Sequence, residues 1–187
     1  MKKRTVRFPL LIYAPLRHWG ALGLLTALVV GALWLFTPRI LGPTPLRPLV
    51  LLAALGGGVL SVYGYLAPRV AYVRCEATGL RLQGPLMPLF ISYRRVDRTR
   101  LAPLVKVFDP KKDRSARRWP LVYWNMTAVV VDLKGFPVTS WWLRLWFDRH
   151  LFLPDGTGLV LLVEDWMGLS QQIDGALAAY RARRARR

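Results

Sequence analysis

"YVRCEATGLRLQGPLMPLFISYRRV" (Tyr72–Val96) is the stretch that decides how the chain is read. Ala71, Val73 and Cys75 alternate with Tyr72, Arg74 and Glu76, the period-two pattern of a half-buried strand. "ATG" (Ala77–Gly79) supplies a turn, with Gly79 placed to take a positive φ. Leu80 and Leu82 alternate with Arg81 and Gln83, Gly84-Pro85 interrupts, and "LFISY" (Leu89–Tyr93) predicts a third strand. A small antiparallel sheet therefore starts near residue 71, and what lies before it is of another kind.

Two uncharged runs precede the sheet. "WGALGLLTALVVGALWLF" (Trp19–Phe36) and "LVLLAALGGGVLSVYGYL" (Leu49–Leu66) are each 18 residues long. As helices they would span about 27 Å, enough for the hydrocarbon core of a bilayer. The linker over 37–48 contains Pro38, Pro43, Pro45 and Pro48, so it separates two helices instead of joining them. Neither run has a polar face, which favours a transmembrane hairpin over 19–66 above a pair of core helices. Pro68-Arg69 reads as a short connection to the sheet. No ionisable residue lies inside either run, which argues against an ion pathway or proton relay. Gly23, Ala27 and Gly31 recur every four residues on the first run, as do Ala53, Gly57 and Ser61 on the second. Small residues at that spacing let membrane helices approach closely, and the preferred role is to seal the hairpin against itself.

The charge is strongly positive, with 28 Lys/Arg against 10 Asp/Glu in 187 residues and a net charge of +18. Residues 1–69 hold eight of those cations and no acid. Lys2, Lys3, Arg4, Arg7 and Arg17 precede the first run, and Arg69, Arg74 and Arg81 follow the second, while the linker holds only Arg39 and Arg47. The positive-inside bias predicts a multi-pass protein of the bacterial cytoplasmic (inner) membrane with both termini cytoplasmic. Residues 1–18 then form a basic N-terminal segment and 181–187 a basic tail. Cys75 is the single cysteine, which excludes an intrachain disulfide and suits a core position.

Beyond the opening hairpin, "LVKVF" (Leu104–Phe108) predicts a weaker strand, "MTAVVVDLK" (Met126–Lys134) a strong one and "GLVLLVE" (Gly158–Glu164) the last. Leu169, Ile173, Leu177 and Tyr180 then fall on one helical face, with Glu164 and Asp165 suited to the helix start. "SWWLRLWFDRHLF" (Ser140–Phe152) fits either a strand, with Trp142 and Trp146 on the face opposite Trp141, Leu143, Leu145 and Phe147, or a short interfacial helix. "DPKKDRSARRWPLVYWN" (Asp109–Asn125) reads as an insertion between strands.

An apolar hairpin followed by Thr78, Gly79, Leu80, Leu82, a proline step at Pro85 or Pro88, and Ile91, Tyr93 and Val96 resembles the bacterial pleckstrin-homology-like (bPH) membrane proteins. The terminal "GLVLLVEDWMGLSQQIDGAL" fits the same plan, and the resemblance covers most of residues 70–177. It implies an α+β membrane protein in which a PH-like domain over 70–180, a bent antiparallel sheet or partial barrel, is capped by the C-terminal helix.

Catalytic signatures are missing from the sequence. There is no Cys-x-x-Cys, His-x-x-x-His, G-x-S-x-G, Walker loop or G-x-G-x-x-G, so no metal, cofactor or enzyme activity is expected. Asp148, Arg149 and His150 read as surface charge. The remaining signal is basic residues beside aromatic ones. "RRVDRTR" supplies Arg94, Arg95, Arg98 and Arg100. "KKDRSARRW" supplies Lys111, Lys112, Arg114, Arg117 and Arg118 beside Trp119. The tail adds Arg181, Arg183 and Arg184, and Trp142 and Trp146 complete the candidate contact set. Each cation near an anionic bilayer contributes about 1 kcal/mol. The expected function is a non-enzymatic, membrane-anchored interaction module contacting anionic lipid headgroups, a membrane protein partner or a second copy. An accessory subunit of a larger membrane complex is the alternative, and nucleic-acid binding ranks last.

Overall fold

The computed structural model describes residues 6–40, 47–108, 121–154 and 156–186. The chain divides into two compact units, Ala14–Arg69 and the combination of Met1–Tyr13 with Val70–Arg187.

The first unit is a pair of apolar helices, α1 (Leu16–Ile40) and α2 (Arg47–Val70). Both are long and apolar enough to cross a membrane. Leu25, Leu28, Leu52 and Val59 are among many large apolar side chains left exposed on them. Both helices outrun the uncharged cores read from sequence. In particular α2 runs through Pro68, which therefore does not form a connection to the sheet. A proline in the last turn removes only one hydrogen bond, which a helix of 24 residues tolerates. The two helices meet through small residues. A Cβ on Gly57 would lie 2.8 Å from the Gly23 carbonyl oxygen and 2.9 Å from the Ala27 nitrogen. One on Gly64 would lie 2.6 Å from Gly20 Cα. The backbones touch at these points because no side chain intervenes.

The second unit contains two antiparallel sheets. One has the order β1 (Phe8–Pro9), β2 (Tyr72–Cys75), β3 (Gly79–Gln83), β4 (Pro88–Ser92). The other has the order β5 (Val96–Pro103), β6 (Thr127–Leu133), β7 (Gly158–Leu161). The strands do not form one closed barrel. A 3-10 turn at Tyr93–Arg95 leads from β4 directly into β5. Residues Ala128–Val131 of β6 and Gly158–Leu161 of β7 are buried on both faces, which explains their unbroken apolar runs. One face packs Ala128, Val130 and Val160 against Leu104, Phe108 and Trp124, the last residue of a short helical turn, α4 (Leu121–Trp124). The C-terminal helix α6 (Trp166–Ala185) buries Leu169, Ile173 and Leu177 and packs against β2, β5 and β6. Its start is capped by Asp165, whose Oδ1 accepts from the Gly168 N–H at 2.8 Å.

Several sequence expectations are corrected here. The basic N-terminal segment is no free tail from residue 8 onward. Phe8 and Pro9 pair with Val73 and Tyr72, and Phe8, Leu10, Ile12 and Tyr13 are buried. Leu104–Val107 is a helical turn, α3, and not a strand. Leu104 and Phe108, four apart, are both buried while Val105 is exposed, so the short apolar run follows the helical period. Of the basic cluster after Tyr93, Arg94 and Arg95 lie in the 3-10 turn and Arg98 and Arg100 on strand β5, at the edge of its sheet, where charged side chains are common. Gly79 does not adopt a positive φ. It opens β3, where a Cβ would overlap the Ile91 carbonyl, so glycine is needed for close approach. The segment from 181 continues α6 to Ala185 instead of forming a separate tail.

Candidate functional site

The segment Ser140–Trp146 is a short helix, α5, which settles the two readings of the sequence in favour of the helix. Its alternation was misleading because Leu143 and Phe147, four apart, are the positions that face inward. Trp141 is 72% exposed, Leu145 61% and Trp142 37%. The indoles form a tilted row, with ring centroids 6.4 Å apart for Trp141–Trp142 and 5.8 Å for Trp142–Trp146. Trp146 is half-buried, and its Nε1 is buried without a hydrogen-bond partner among the described residues. A slot of about 280 Å³ beside α5 is lined by Arg144 together with Phe136, Val138 and Phe152.

The basic residues divide by what already engages them. Arg98 and Arg100 both bind Asp132, at 2.8 and 3.2 Å, across the β5–β6 pair. Asp132 and its hydrogen bonds hold the Arg98 guanidinium above its ordinary pKa. Arg95 Nη1 donates to the Phe136 carbonyl at 2.6 Å. Arg181 donates to the Asp97 carbonyl at 3.1 Å, which the irregular register between Val96 and Arg98 leaves outside the ladder. Arg183 donates to the Ala77 carbonyl at 2.7 Å, and with Arg184 and Thr78 it lines a pocket of about 380 Å³. Arg94 is different. It is exposed and has no ion pair or side-chain hydrogen bond among the described residues. It lines a pocket of about 360 Å³ with Ser92, Arg95, Lys134 and Gly135. Lys111, Lys112, Arg114, Arg117, Arg118 and Trp119 lie outside the described residues.

Lys134 and Ser92 were not singled out from sequence. Lys134 sits at the end of β6, far along the chain from Arg94, and only the sheet brings them together through the Lys134 N–H donating to the Arg95 carbonyl at 2.8 Å. Among the small residues, the structure brings Gly23, Ala27, Gly57 and Ser61 together. A Cβ on Gly31 would meet nothing within 4 Å, and Ala53 is exposed. Gly20 and Gly64 take part instead, because the contacting residues step by three as well as four.

His150 is buried, at 5% exposure, and so is not surface charge. Asp148 Oδ1 accepts from its backbone N–H at 2.9 Å and lies 2.8 Å from its Nδ1. The pair caps the 3-10 turn Arg149–Leu151, a structural arrangement. Cys75 is half-buried, beside the buried Tyr93. Burial pushes the Cys75 thiol up to about 11 and raises Tyr93 above the usual tyrosine range.

No protein-family model matches the chain, and neither a curated protein nor a solved structure matches it.

Proposed function

We propose that the chain is a membrane-anchored, non-enzymatic interaction module of the bacterial inner membrane. Its folded domain has a PH-like plan, and α1 and α2 are its anchor. The observation that carries this reading is the pairing of β1 with β2, Phe8 opposite Val73 and Pro9 opposite Tyr72. These strands lie just before α1 and just after α2, so both ends of the apolar hairpin belong to one folded unit. Two bilayer crossings satisfy that constraint, since they return the chain to the side it left. The excess of Lys/Arg flanking the hairpin supports the cytoplasm as that side. The plan of two antiparallel sheets packed with a C-terminal helix supports the PH-like description. The basic domain surface and the exposed indoles of α5 support contact with anionic headgroups.

One observation favours the accessory-subunit alternative. Gly31, Gly56 and Gly58 have open space where a Cβ would stand, leaving small residues on outward helix surfaces where another membrane helix would fit. Mild-detergent extraction of the tagged full chain from native membranes, with mass spectrometry of the eluate, tests both readings. A stoichiometric protein partner makes it a subunit. Retention of anionic phospholipid alone supports lipid recognition. A chain that leaves the membrane in an alkaline wash refutes both.

A further inference from the structure

The pocket of Ser92, Arg94, Arg95 and Lys134 and the apolar face of α5 are neighbours. Gly135 lines the pocket, and the next residue, Phe136, lines the slot beside α5. Arg95, on the pocket wall, is fixed to the Phe136 carbonyl. The short connection between β6 and α5 thus carries a cationic hollow at one end and an apolar, indole-rich helix at the other.

We infer that this pocket takes the phosphate of an anionic lipid headgroup while α5 lies in the bilayer interface beside it. The inference rests on the membrane reading above and names the site that performs it. Among the described residues the lining contains no carboxylate, and neither Arg94 nor Lys134 has an ion pair, so no described acid neutralises their charge. A guanidinium, an ammonium and a hydroxyl around one hollow suit the oxygens of a phosphate. A soluble phosphate would fill the hollow and leave Trp141, Trp142 and Leu145 in water. A lipid headgroup brings an acyl layer to cover them, and indoles favour that boundary. The chain's two membrane-length helices bring such a layer to the domain.

The test uses the full chain in nanodiscs, with Trp141→Cys in a Cys75→Ser background carrying an environment-sensitive fluorophore. Phosphatidylglycerol is titrated into a phosphatidylcholine bilayer, and spin-labelled acyl chains serve as quencher. The expected result is emission from an apolar setting and quenching that rises with phosphatidylglycerol. Arg94→Gln or Lys134→Gln should each raise the phosphatidylglycerol fraction needed by about fivefold, the equivalent of one lost surface cation. Arg186→Gln, which removes the same charge from the end of α6, should leave it unchanged. A label that stays in water at every composition overturns the inference, and resistance of the chain to alkaline extraction then shows that the anchoring itself survives. An equal shift for Arg186→Gln reduces the effect to net charge and overturns the pocket. Suppression of the lipid effect by inorganic phosphate, with thermal stabilisation by phosphate that Arg94→Gln removes, would make the ligand a soluble anion and also overturn it.

Discussion

The backbone N–H of Leu11 donates to the carbonyl of Leu162 at 2.9 Å. One residue earlier, the Leu10 N–H donates to the Ala71 carbonyl at 3.2 Å. Successive amides of one short segment thus reach the two different sheets, the first beside β2 and the second just past β7. The segment before α1 is a structural strap of the domain. Phe8, at 4% exposure, is one of its buried apolar anchors.

Phe8→Ala should therefore cost about 3–5 kcal/mol, the usual loss for a buried phenylalanine. Val6→Ala, at an exposed position, should stay within about 0.5 kcal/mol. Denaturant unfolding of the detergent-solubilised chain compares the two. Equal, small effects would show that the segment is a free tail.

The helix pair gives a contrast of sign. A Cβ on Gly57 meets backbone atoms of the facing helix, which cannot rotate away, so Gly57→Ala should destabilise by about 1–3 kcal/mol. Its neighbour Gly58 faces open space, so Gly58→Ala should be neutral or stabilising by up to about 1 kcal/mol. Thermal midpoints in one detergent would show the opposition, and similar shifts would mean that the backbones do not touch there.

Asp148→Ala removes the acceptor for both the backbone N–H and the ring nitrogen of buried His150. The expected cost is about 1–3 kcal/mol. Asp148→Asn keeps an oxygen in the same place and should retain most of the stability. Activity in any assay should follow stability in both variants, and a loss of activity at full stability would contradict the structural role given to this pair.

The Cys75 thiol has its ordinary value of 9.0 moved to about 11 by burial. A folded-state value above the unfolded one means that the native chain holds a proton the unfolded chain has released. This contribution to stability is whole below about pH 9 and is lost as pH rises toward 11. Tyr93 is shifted in the same direction, so alkaline unfolding should come early. At neutral pH the thiol should alkylate much more slowly than a free cysteine and speed up on denaturation. Reaction with a maleimide at the free-thiol rate would show that the half-buried Cys75 thiol is open to solvent.

Much of this fold was legible in the sequence because the local periods were clean. Val73, Leu80, Leu82, Leu89 and Ile91 alternate and all face inward, and Leu169, Ile173 and Leu177 step helically and are all buried. The missed features depend on contacts between distant parts of the chain. Nothing local in "RFPLLIY" marks β1, since a two-residue strand has no period to read. Strand β5 was hidden by Asp97, Arg98 and Arg100, whose charges suit an edge facing water better than they suit a strand pattern. Over Ser140–Phe147, apolar residues at every second position (Trp141, Leu143, Leu145, Phe147) imitate a strand, yet only Leu143 and Phe147, four apart, are buried, because so short an apolar run fits both periods. Lys134 could enter the candidate pocket only after the register of β6 was known.

The pairing of Phe8 with Val73 also imposes an order on biogenesis. If the two helices cross a membrane as proposed, Phe8 leaves the ribosome long before Val73 exists, so the N-terminal strap must wait, unpaired, while both helices are made and inserted. A chain that threads only one helix across the bilayer strands these partners on opposite sides. Its sheet cannot be completed, and Phe8, Leu10, Ile12 and Tyr13 remain uncovered. Completion of the sheet thereby acts as a check on threading, and a misinserted chain carries its own exposed apolar mark for proteolytic removal.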